Sequence, residues 1–266
     1  MTIISDDVRR LAEEPESFFG EAVPPARTVR APSHTLAFAP TPTQAMVSVV
    51  RTTPAELDGL IAEVRGGLRA AAYTRCVWIV GPSCRPEGLE AALTARGFFP
   101  ATDPPYEPEM TAMVLVEPPP AAPPGVEARR VRDYDEYLRS MRIAVTVMGA
   151  DEGETGGWLA AAPDLWAAKN GPARYTHVAY LDGEMVGFGW AVPTAAGLML
   201  SGSSVVPAAR GRGAYRALVA ARWATAVELG TPALAIQAGA MSRPVLARCG
   251  FQELCRVAVL QDPAVK

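Results

Sequence analysis

The chain ends two of its predicted helices in the same way, and this repetition limits what it can fold into. The stretch "LEAALTARGF" occupies 89–98 and "SRPVLARCGF" occupies 242–251. Both patterns predict a helix that runs through Ala-Arg into Gly-Phe, directly in the first stretch and after Cys249 in the second, with the glycine ending the helix. Because glycine ends many helices, a chance match is one explanation. The helix–strand–helix–strand order around both stretches favours the other, an internal duplication.

A proline-rich segment separates the two halves of the chain. The stretch "EPPPAAPPG" at 117–125 contains five prolines, which preclude a helix or a central strand and favour a stiff extended spacer. We therefore predict a tandem arrangement. A first domain covers 1–118, a linker covers 119–125 and a second domain covers 126–266.

Hydrophobic patterns predict an α/β (α+β) fold in which a mixed central sheet is flanked by helices. In the first half, Thr53 is a candidate N-cap, followed by Pro54 and by Glu56, which is typical of a helix start. Apolar runs such as "CVWIV" and "MTAMVLV" predict strands. In the second half, two apolar runs are joined by Asp182 and Gly183, the residues that a type I′ hairpin turn requires.

A long helix is predicted near residue 215, followed by the strand "ALAIQA", a short helix and the last strand "RVAVLQ". One face of the long helix carries apolar residues, and Arg222 lies on this face with only its aliphatic stem expected to be buried. The helix is predicted to end at Gly230, and Ser242 to cap the short helix. The predicted apolar face consists of Leu218, Val219, Ala226 and Leu229.

Composition disfavours several classes of function. About half of the 266 residues are apolar, and the formal net charge is −3. We therefore expect a large core, and no nucleic-acid or membrane partner. The N-terminus "MTIISDDVRRLAEEPESFF" lacks the features of a signal peptide, and no stretch is apolar for the roughly 18 residues of a membrane span. A cytoplasmic location is expected. Four cysteines without a C-x-x-C pair, and only two histidines, predict reduced buried thiols and no metal site.

The most informative stretch is "VVPAARGRGAYRALV" at 205–219. A helix N-terminus has several unpaired backbone N–H groups and a positive dipole end, and this combination suits a phosphate group. Gly211 and Gly213 allow close approach of an anion to the backbone. Neither the dinucleotide-binding fingerprint nor the P-loop pattern is present. From the residues alone, an anion-binding loop and an ordinary strand–helix turn stay equally open.

The order of features around this loop resembles the GNAT superfamily of acyl-CoA-dependent N-acetyltransferases. A strand ending in Val-x-Pro is followed by "ARGRGAY", a long helix, a strand and a short helix ending in Gly-Phe. The resemblance covers about 125–266. The family's pyrophosphate signature, Gln/Arg-x-x-Gly-x-Gly/Ala, is followed from Arg210 to Ala214, and Tyr215 stands where a small residue is usual.

At the matching position the first half has "VVRTTPAELDGL" at 49–60, which has no glycine before the helix. We therefore expect the first half to be a degenerate GNAT-like copy without a phosphate site. Its expected role is to pack against the active domain and wall its cleft.

The resemblance implies acetyl-CoA as co-substrate, with its pantetheine arm paired to a strand and its pyrophosphate held by the glycine loop. The implied function is acetyl transfer to an amine of a small molecule or peptide. A catalytically weak, acetyl-CoA-binding regulatory module is the alternative. The residues implied for cofactor binding are Ser204, Val205, Val206, Arg210, Gly211, Arg212, Gly213, Ala214, Tyr215, Arg216 and Ser242.

No catalytic residue is assigned. Many relatives place a Glu on the strand before the loop, where this chain has only Ser201, Ser203 and Ser204. Many also place a Tyr in the last short helix, at a position that is Leu246 here. The missing general base and general acid keep the regulatory alternative open.

Two further clusters allow two interpretations each. The acidic group Asp151, Glu152 and Glu154 could attract a cationic amine, or could be a solvated loop. Trp158, Trp166 and Trp190 could line a pocket or belong to the core.

Overall fold

The computed structural model describes residues 3–22, 26–39, 44–102, 106–148, 152–169 and 174–264. Helices and strands alternate along much of the chain. The helices are α1 (Asp6–Glu13), α2 (Leu57–Ala70), α3 (Leu89–Thr94), α4 (Tyr134–Met148), α5 (Glu152–Ala160), α6 (Ala162–Lys169), α7 (Ala214–Glu228) and α8 (Arg243–Arg248). The strands are β1 (Arg27–Ala31), β2 (His34–Phe38), β3 (Ala45–Ser48), β4 (Cys76–Val80), β5 (Phe99–Pro100), β6 (Glu109–Leu115), β7 (Val126–Arg130), β8 (Tyr175–Leu181), β9 (Glu184–Thr194), β10 (Gly197–Val205), β11 (Leu234–Ala238) and β12 (Gln252–Gln261).

The chain forms two compact units. The N-terminal unit contains 9–113 together with 237–244 and 253–266, and the loop unit contains 1–8, 114–236 and 245–252. The last strand explains why C-terminal residues belong to the N-terminal unit, since β12 pairs antiparallel with β4. The boundaries at 118 and 126 stay a prediction, because compactness does not establish that a segment folds alone.

The N-terminal unit has the strand order β1-β2-β3-β4-β12-β6, and β5 also pairs with β12. Strands β3 and β4 are parallel and are connected through α2. The buried residues of α2 recur at the spacing of one helical face, and they pack in one cluster with the fully buried Trp78. They are Leu57, Leu60, Ile61, Val64 and Leu68.

The loop unit has the strand order β11-β10-β9-β8-β7. Strands β8 and β9 form the predicted hairpin, with φ of 52° at Asp182 and 85° at Gly183. A type I′ turn requires positive φ at both positions, so this prediction is confirmed. Strands β10 and β11 are parallel and are connected through α7. Both units thus contain a parallel strand pair bridged by a helix, in agreement with the predicted mixed α/β fold.

The two Gly-Phe endings share one cap geometry. Gly97 and Gly250 have φ of 88° and 97°. The N–H of Phe98 donates to the carbonyl oxygen of Leu93 at 3.2 Å, and the N–H of Phe251 donates to that of Leu246 at 3.1 Å. These six-to-one bonds are those of a Schellman motif. The repeated sequence therefore has a repeated structure.

Two local predictions are corrected. Helix α2 begins at Leu57 and not at Pro54, because residues 54–56 form a turn. On α7, Leu218, Val219 and Ala226 are buried as predicted. Leu229 is 40% exposed, because it follows the last helical residue and has left the buried face.

Arg222 is wholly buried, guanidinium included, which contradicts the prediction that only its stem would be. The reason is a tertiary contact with β10, described below.

The four cysteines are free thiols, of which Cys76, Cys84 and Cys249 are buried and Cys255 is half-buried. In the described ranges, no group of three or more His, Cys, Asp or Glu residues is arranged to hold a metal ion. No described helix is both long enough and apolar enough to cross a membrane.

Candidate functional site

The glycine loop connects β10 to α7 and leaves a row of backbone N–H groups without partners. After β10 the chain makes a 3₁₀ turn at Pro207–Ala209 and then enters α7 at Ala214. Gly211 and Gly213 have φ of 77° and 92°, a left-handed conformation that glycine adopts without strain. Among the described residues, the N–H groups of 211–216 find no acceptor. Together with the helix dipole, they form a site suited to an anion.

The two glycines have different surroundings. A Cβ on Gly213 would collide with the ring of Pro123, whereas a Cβ on Gly211 would meet no atom within 4 Å. Gly213 therefore permits close packing, and Gly211 faces open space. Pro123 belongs to the predicted spacer, so this segment also forms a wall of the loop. The sequence contained no signal for that contact.

The arginines of the loop differ in their contacts. Arg210 donates from Nε to the carbonyl oxygen of Val205 at 3.2 Å, and so ties the loop to the end of β10. Arg212 pairs with Asp182 at 3.0 Å, and both side chains are more than half exposed. Such a pair contributes little and can open. In Arg216 the Nε atom is buried without a partner among the described residues.

Tyr215, which departs from the family signature, does not fill the loop with its side chain. Its ring packs beside the cluster that includes Ala214 and Leu218, and burial raises the pKa of its phenol. The side chain thus points into the unit while the backbone N–H stays unpaired. The large residue is therefore compatible with an anion at the loop.

Strand β10 is bulged and partly separated from β11. A β-bulge lies between Ser201 and Ser203, where Gly202 has φ of 44°. The register with β11 covers Leu198 and Met199 and, in the described part of these strands, no later residue.

At the end of β10, one residue presents its backbone to the open edge. The N–H of Val206 donates to the carbonyl oxygen of Val186 in β9, at 2.8 Å. Since neighbouring residues of a strand direct their backbone groups to opposite edges, Val205 directs its own away from β9. Of the predicted residues 204–206, Val205 is thus the one whose N–H faces the open edge, while its carbonyl oxygen accepts from Arg210.

Ser242, predicted as a further binding residue, belongs to the N-terminal unit. Its hydroxyl donates to the carbonyl oxygen of Gly239 at 3.2 Å.

The positions that hold an acid or a base in many relatives carry neither here. Ser203 accepts a hydrogen bond from Arg222 at 2.7 Å, and Ser201 has a buried hydroxyl oxygen without a described partner. Leu246 is completely buried. Of the acidic group, Asp151 lies outside the described residues, and only the backbone of Glu152 and Glu154 is described, within α5.

The tryptophans mostly pack inside the loop unit. Trp166 lies against Tyr134 and Tyr137, with ring centroids 6.1 and 5.3 Å apart. Trp190 lies 5.0 Å from Phe188. These contacts favour the core interpretation for both. Trp158 is 41% exposed.

At the matching position of the N-terminal unit, the chain pairs with itself. The N–H of Arg85 donates to the carbonyl oxygen of Val50 at 2.9 Å, and the N–H of Thr52 donates to that of Arg85 at 3.3 Å. These bonds extend β3 by a parallel bridge between Arg51 and Arg85. Backbone groups that follow β3 at this position are therefore already paired within the chain.

The start of α2 also differs from the start of α7. The carboxylate of Glu56 accepts from the N–H and the hydroxyl of Thr53, at 3.2 and 2.8 Å. Pro54 has no N–H to offer. A negative charge and a missing donor make this helix start unsuited to phosphate.

Comparison with known proteins agrees with this geometry. Residues 142–251 match the acetyltransferase (GNAT) family. A GCN5-related N-acetyltransferase from Kribbella flavida is similar in structure, with a TM-score of 0.69, 18% identity, and 96% of this chain and 95% of that chain covered. A tandem GNAT protein from the clavulanic acid biosynthesis pathway gives a TM-score of 0.62 at 18% identity, covering 99% and 97%.

A third similar structure is a GCN5-related N-acetyltransferase from Sphaerobacter thermophilus, with a TM-score of 0.63, 17% identity and coverage of 88% and 81%. No curated protein matches the chain. At these identities the solved structures establish the fold. Residues 142–251 therefore match the acetyltransferase (GNAT) family, in a chain whose fold is that of a tandem GNAT protein.

Proposed function

We propose that this protein is an N-acetyltransferase that takes an acetyl group from acetyl-CoA and transfers it to an amine of a small molecule or peptide. The observation that carries the proposal is the row of unpartnered N–H groups at 211–216. They lie at the positive end of α7, next to a strand whose open edge suits an extended amide chain.

In the proposed complex, the pyrophosphate of acetyl-CoA accepts hydrogen bonds from the N–H groups of 211–216. Arg212 leaves its exposed pair with Asp182 to add charge, and Arg216 adds a second guanidinium. The N–H of Val205 donates to the pantetheine arm, while the Val205 carbonyl oxygen stays with Arg210. Ser204 and Val206 support it by holding β10 against β9, where Ser204 lies opposite Phe188.

The chemical step is direct attack by the acceptor amine nitrogen on the thioester carbon. The C–N bond forms, the C–S bond breaks, and coenzyme A leaves as a thiolate. The amine must be neutral to attack, and it loses a proton as the amide forms. The thiol of coenzyme A is about as acidic as free Cys, so departure of the thiolate does not require a general acid.

The N-terminal unit is proposed not to bind acetyl-CoA. The self-pairing of Val50 and Thr52 with Arg85, and the carboxylate of Glu56 at the start of α2, support this assignment.

The alternative is a regulatory module that binds acetyl-CoA without efficient turnover, and the burial of Leu246 and the bonding of Ser203 to Arg222 favour it. A panel of primary amines, incubated with protein and acetyl-CoA, separates the two. Thiol release above the amine-only background supports the enzyme. Binding by calorimetry without thiol release supports the module.

The binding site is tested at Gly211 by an isosteric pair of variants. Asp and Asn tolerate left-handed backbone better than other residues, and no atom obstructs a side chain there. Gly211→Asp places a negative charge in the loop, and Gly211→Asn controls for shape. We expect calorimetry with coenzyme A to show at least tenfold weaker binding for Gly211→Asp than for Gly211→Asn, about 1.4 kcal/mol. Equal affinities of the two variants would remove the loop from the proposal.

A further inference from the structure

Arg222 carries a complete positive charge in the interior of the loop unit. The residue is 0% exposed. Its Nε donates to the carbonyl oxygen of Leu218 at 3.0 Å, and its Nη1 donates to the Ser203 hydroxyl at 2.7 Å. Its Nη2 is buried and forms no hydrogen bond of regular geometry among the described residues. Burial lowers the pKa of Arg222, and the nearby phenol of Tyr215 only partly offsets this effect. No described carboxylate pairs with this guanidinium.

The titratable groups around Arg222 do not balance its charge. They are His177 on β8, Tyr215 on α7 and Cys249 after α8. Burial lowers the pKa of His177 well below its usual range, so the ring is neutral, and its Nε2 lies 2.9 Å from the Thr225 hydroxyl. Burial raises the pKa of Tyr215 and of Cys249, which therefore keep their protons.

The charge lies beneath the first turns of α7, the helix whose N-terminus presents the unpartnered N–H groups. Long side chains in a helix point back toward its N-terminus, and the bond to Leu218 shows that Arg222 does so by one turn. The Cζ atom lies 5.9 Å from the ring centroid of Tyr215, a residue of the first turn of α7. The guanidinium thus connects the bulge of β10, through Ser203, with Leu218 in the second turn of α7.

An unpaired buried charge is strongly unfavourable for folding, and proteins retain such features mainly at functional sites. We propose that Arg222 is a positioning and electrostatic determinant of coenzyme A binding, and that its charge is balanced by the pyrophosphate at 211–216. The inference rests on the proposed function. Because water is excluded around the guanidinium, its attraction for the anion is weakly screened.

The test compares two neutral replacements. Arg222→Gln loses the charge and keeps a donor for the Leu218 carbonyl oxygen, to which Arg222 donates from Nε, and Arg222→Met loses both. We expect calorimetry to show about tenfold weaker binding of coenzyme A by each variant, equal to about 1.4 kcal/mol. Thermal unfolding without ligand should show a midpoint equal to or above that of the wild type, because an uncompensated charge has been removed.

Arg130→Gln is the matched control, because Arg130 is a partly exposed arginine of the same unit, paired with Glu228 at the end of α7. Its affinity for coenzyme A should be unchanged. If the wild type itself does not bind coenzyme A, the proposed function is wrong. If the wild type binds and Arg222→Gln binds equally well, only this inference is wrong. Lower stability of both Arg222 variants would assign the residue a structural role and would also overturn the inference.

Discussion

At the scale of single residues, the carboxyl group of Glu16 in the N-terminal unit is buried and forms no ion pair with a described Arg or Lys. Glu16 is 9% exposed, and burial raises its pKa to about 7. Arg51 forms its ion pair with the neighbouring Glu14, whose carboxylate accepts a hydrogen bond from Arg51 at 2.6 Å. Glu16 is therefore protonated in the folded chain over a pH range in which an exposed glutamate is charged.

The raised pKa of Glu16 predicts a pH-dependent stability. The folded pKa of about 7 lies above the ordinary value of 4.5. The stability contribution of the protonated group is therefore complete below about pH 4.5 and is lost as pH rises through about 7. Gln cannot ionise, so Glu16→Gln should become more stable than the wild type as pH rises, by up to about 3 kcal/mol at pH 8. Denaturant unfolding at pH 5 and pH 8 measures this difference.

Glu21→Gln is the control, because the Glu21 side chain is 95% exposed. Its stability should follow that of the wild type at both pH values. A Glu16→Gln variant whose stability relative to the wild type is the same at pH 5 and pH 8 would show that Glu16 ionises normally.

At the scale of elements, the two Gly-Phe helix ends offer a matched comparison. Both Gly97 and Gly250 need positive φ, but their surroundings differ. A Cβ on Gly97 would lie 3.9 Å from Pro263, an ordinary contact, whereas a Cβ on Gly250 would lie 3.2 Å from Leu115. The repeated cap therefore has a looser and a tighter copy.

We expect Gly97→Ala to lower the free energy of unfolding by about 1 kcal/mol, the cost of left-handed backbone for a non-glycine residue. Gly250→Ala should cost more, because Leu115 must also move. Gly66→Ala within α2 is a control that should instead raise the free energy of unfolding, by about 0.5–1 kcal/mol. The added Cβ would lie within 4 Å of no atom, and Ala favours a helix over Gly. Denaturant midpoints would contradict the argument if Gly97→Ala proved the more damaging of the two cap variants.

At the scale of the whole molecule, the last strand joins the N-terminal unit. Ala258 and Leu260 of β12 are almost fully buried in the cluster that also contains Trp78. Just beyond β12, the carboxylate of Asp262 accepts two bonds from the Nε and Nη2 atoms of Arg65, at 2.9 and 2.8 Å. A chain cut before β12 loses these contacts and exposes the edge of β4.

The predicted first domain, 1–118, is therefore expected not to fold stably by itself. Trp78 is its one tryptophan and is completely buried in the full chain. Its fluorescence in the isolated fragment should be red-shifted, as in a denatured chain. Adding a peptide of residues 252–264 should shift the emission back toward blue, because the peptide supplies β12. A blue-shifted, cooperatively unfolding fragment without the peptide would show that β12 is dispensable.

Much of the local structure followed from short sequence patterns. The Asp182-Gly183 turn and the helix ends at Gly97 and Gly250 were predicted from such patterns. Each depends on the backbone preferences of a few adjacent residues. The mixed α/β class followed in the same way from hydrophobic periodicity. The binding role of 204–206 and 210–216 stays a prediction.

The rest was decided by tertiary structure. The burial of Arg222 depends on its hydrogen bond to Ser203. The close packing at Gly213 depends on Pro123. Strand β4 pairs with β12, which lies far from it in the sequence. An arginine on an apolar helix face gives the same sequence pattern whether its guanidinium reaches water or a buried hydroxyl group. A strand pattern likewise does not specify its neighbour, since pairing is a contact between distant segments. Sequence periodicity by itself determined which residues are buried, and only the tertiary structure decided which residues they contact, because those contacts join segments that are distant in the sequence.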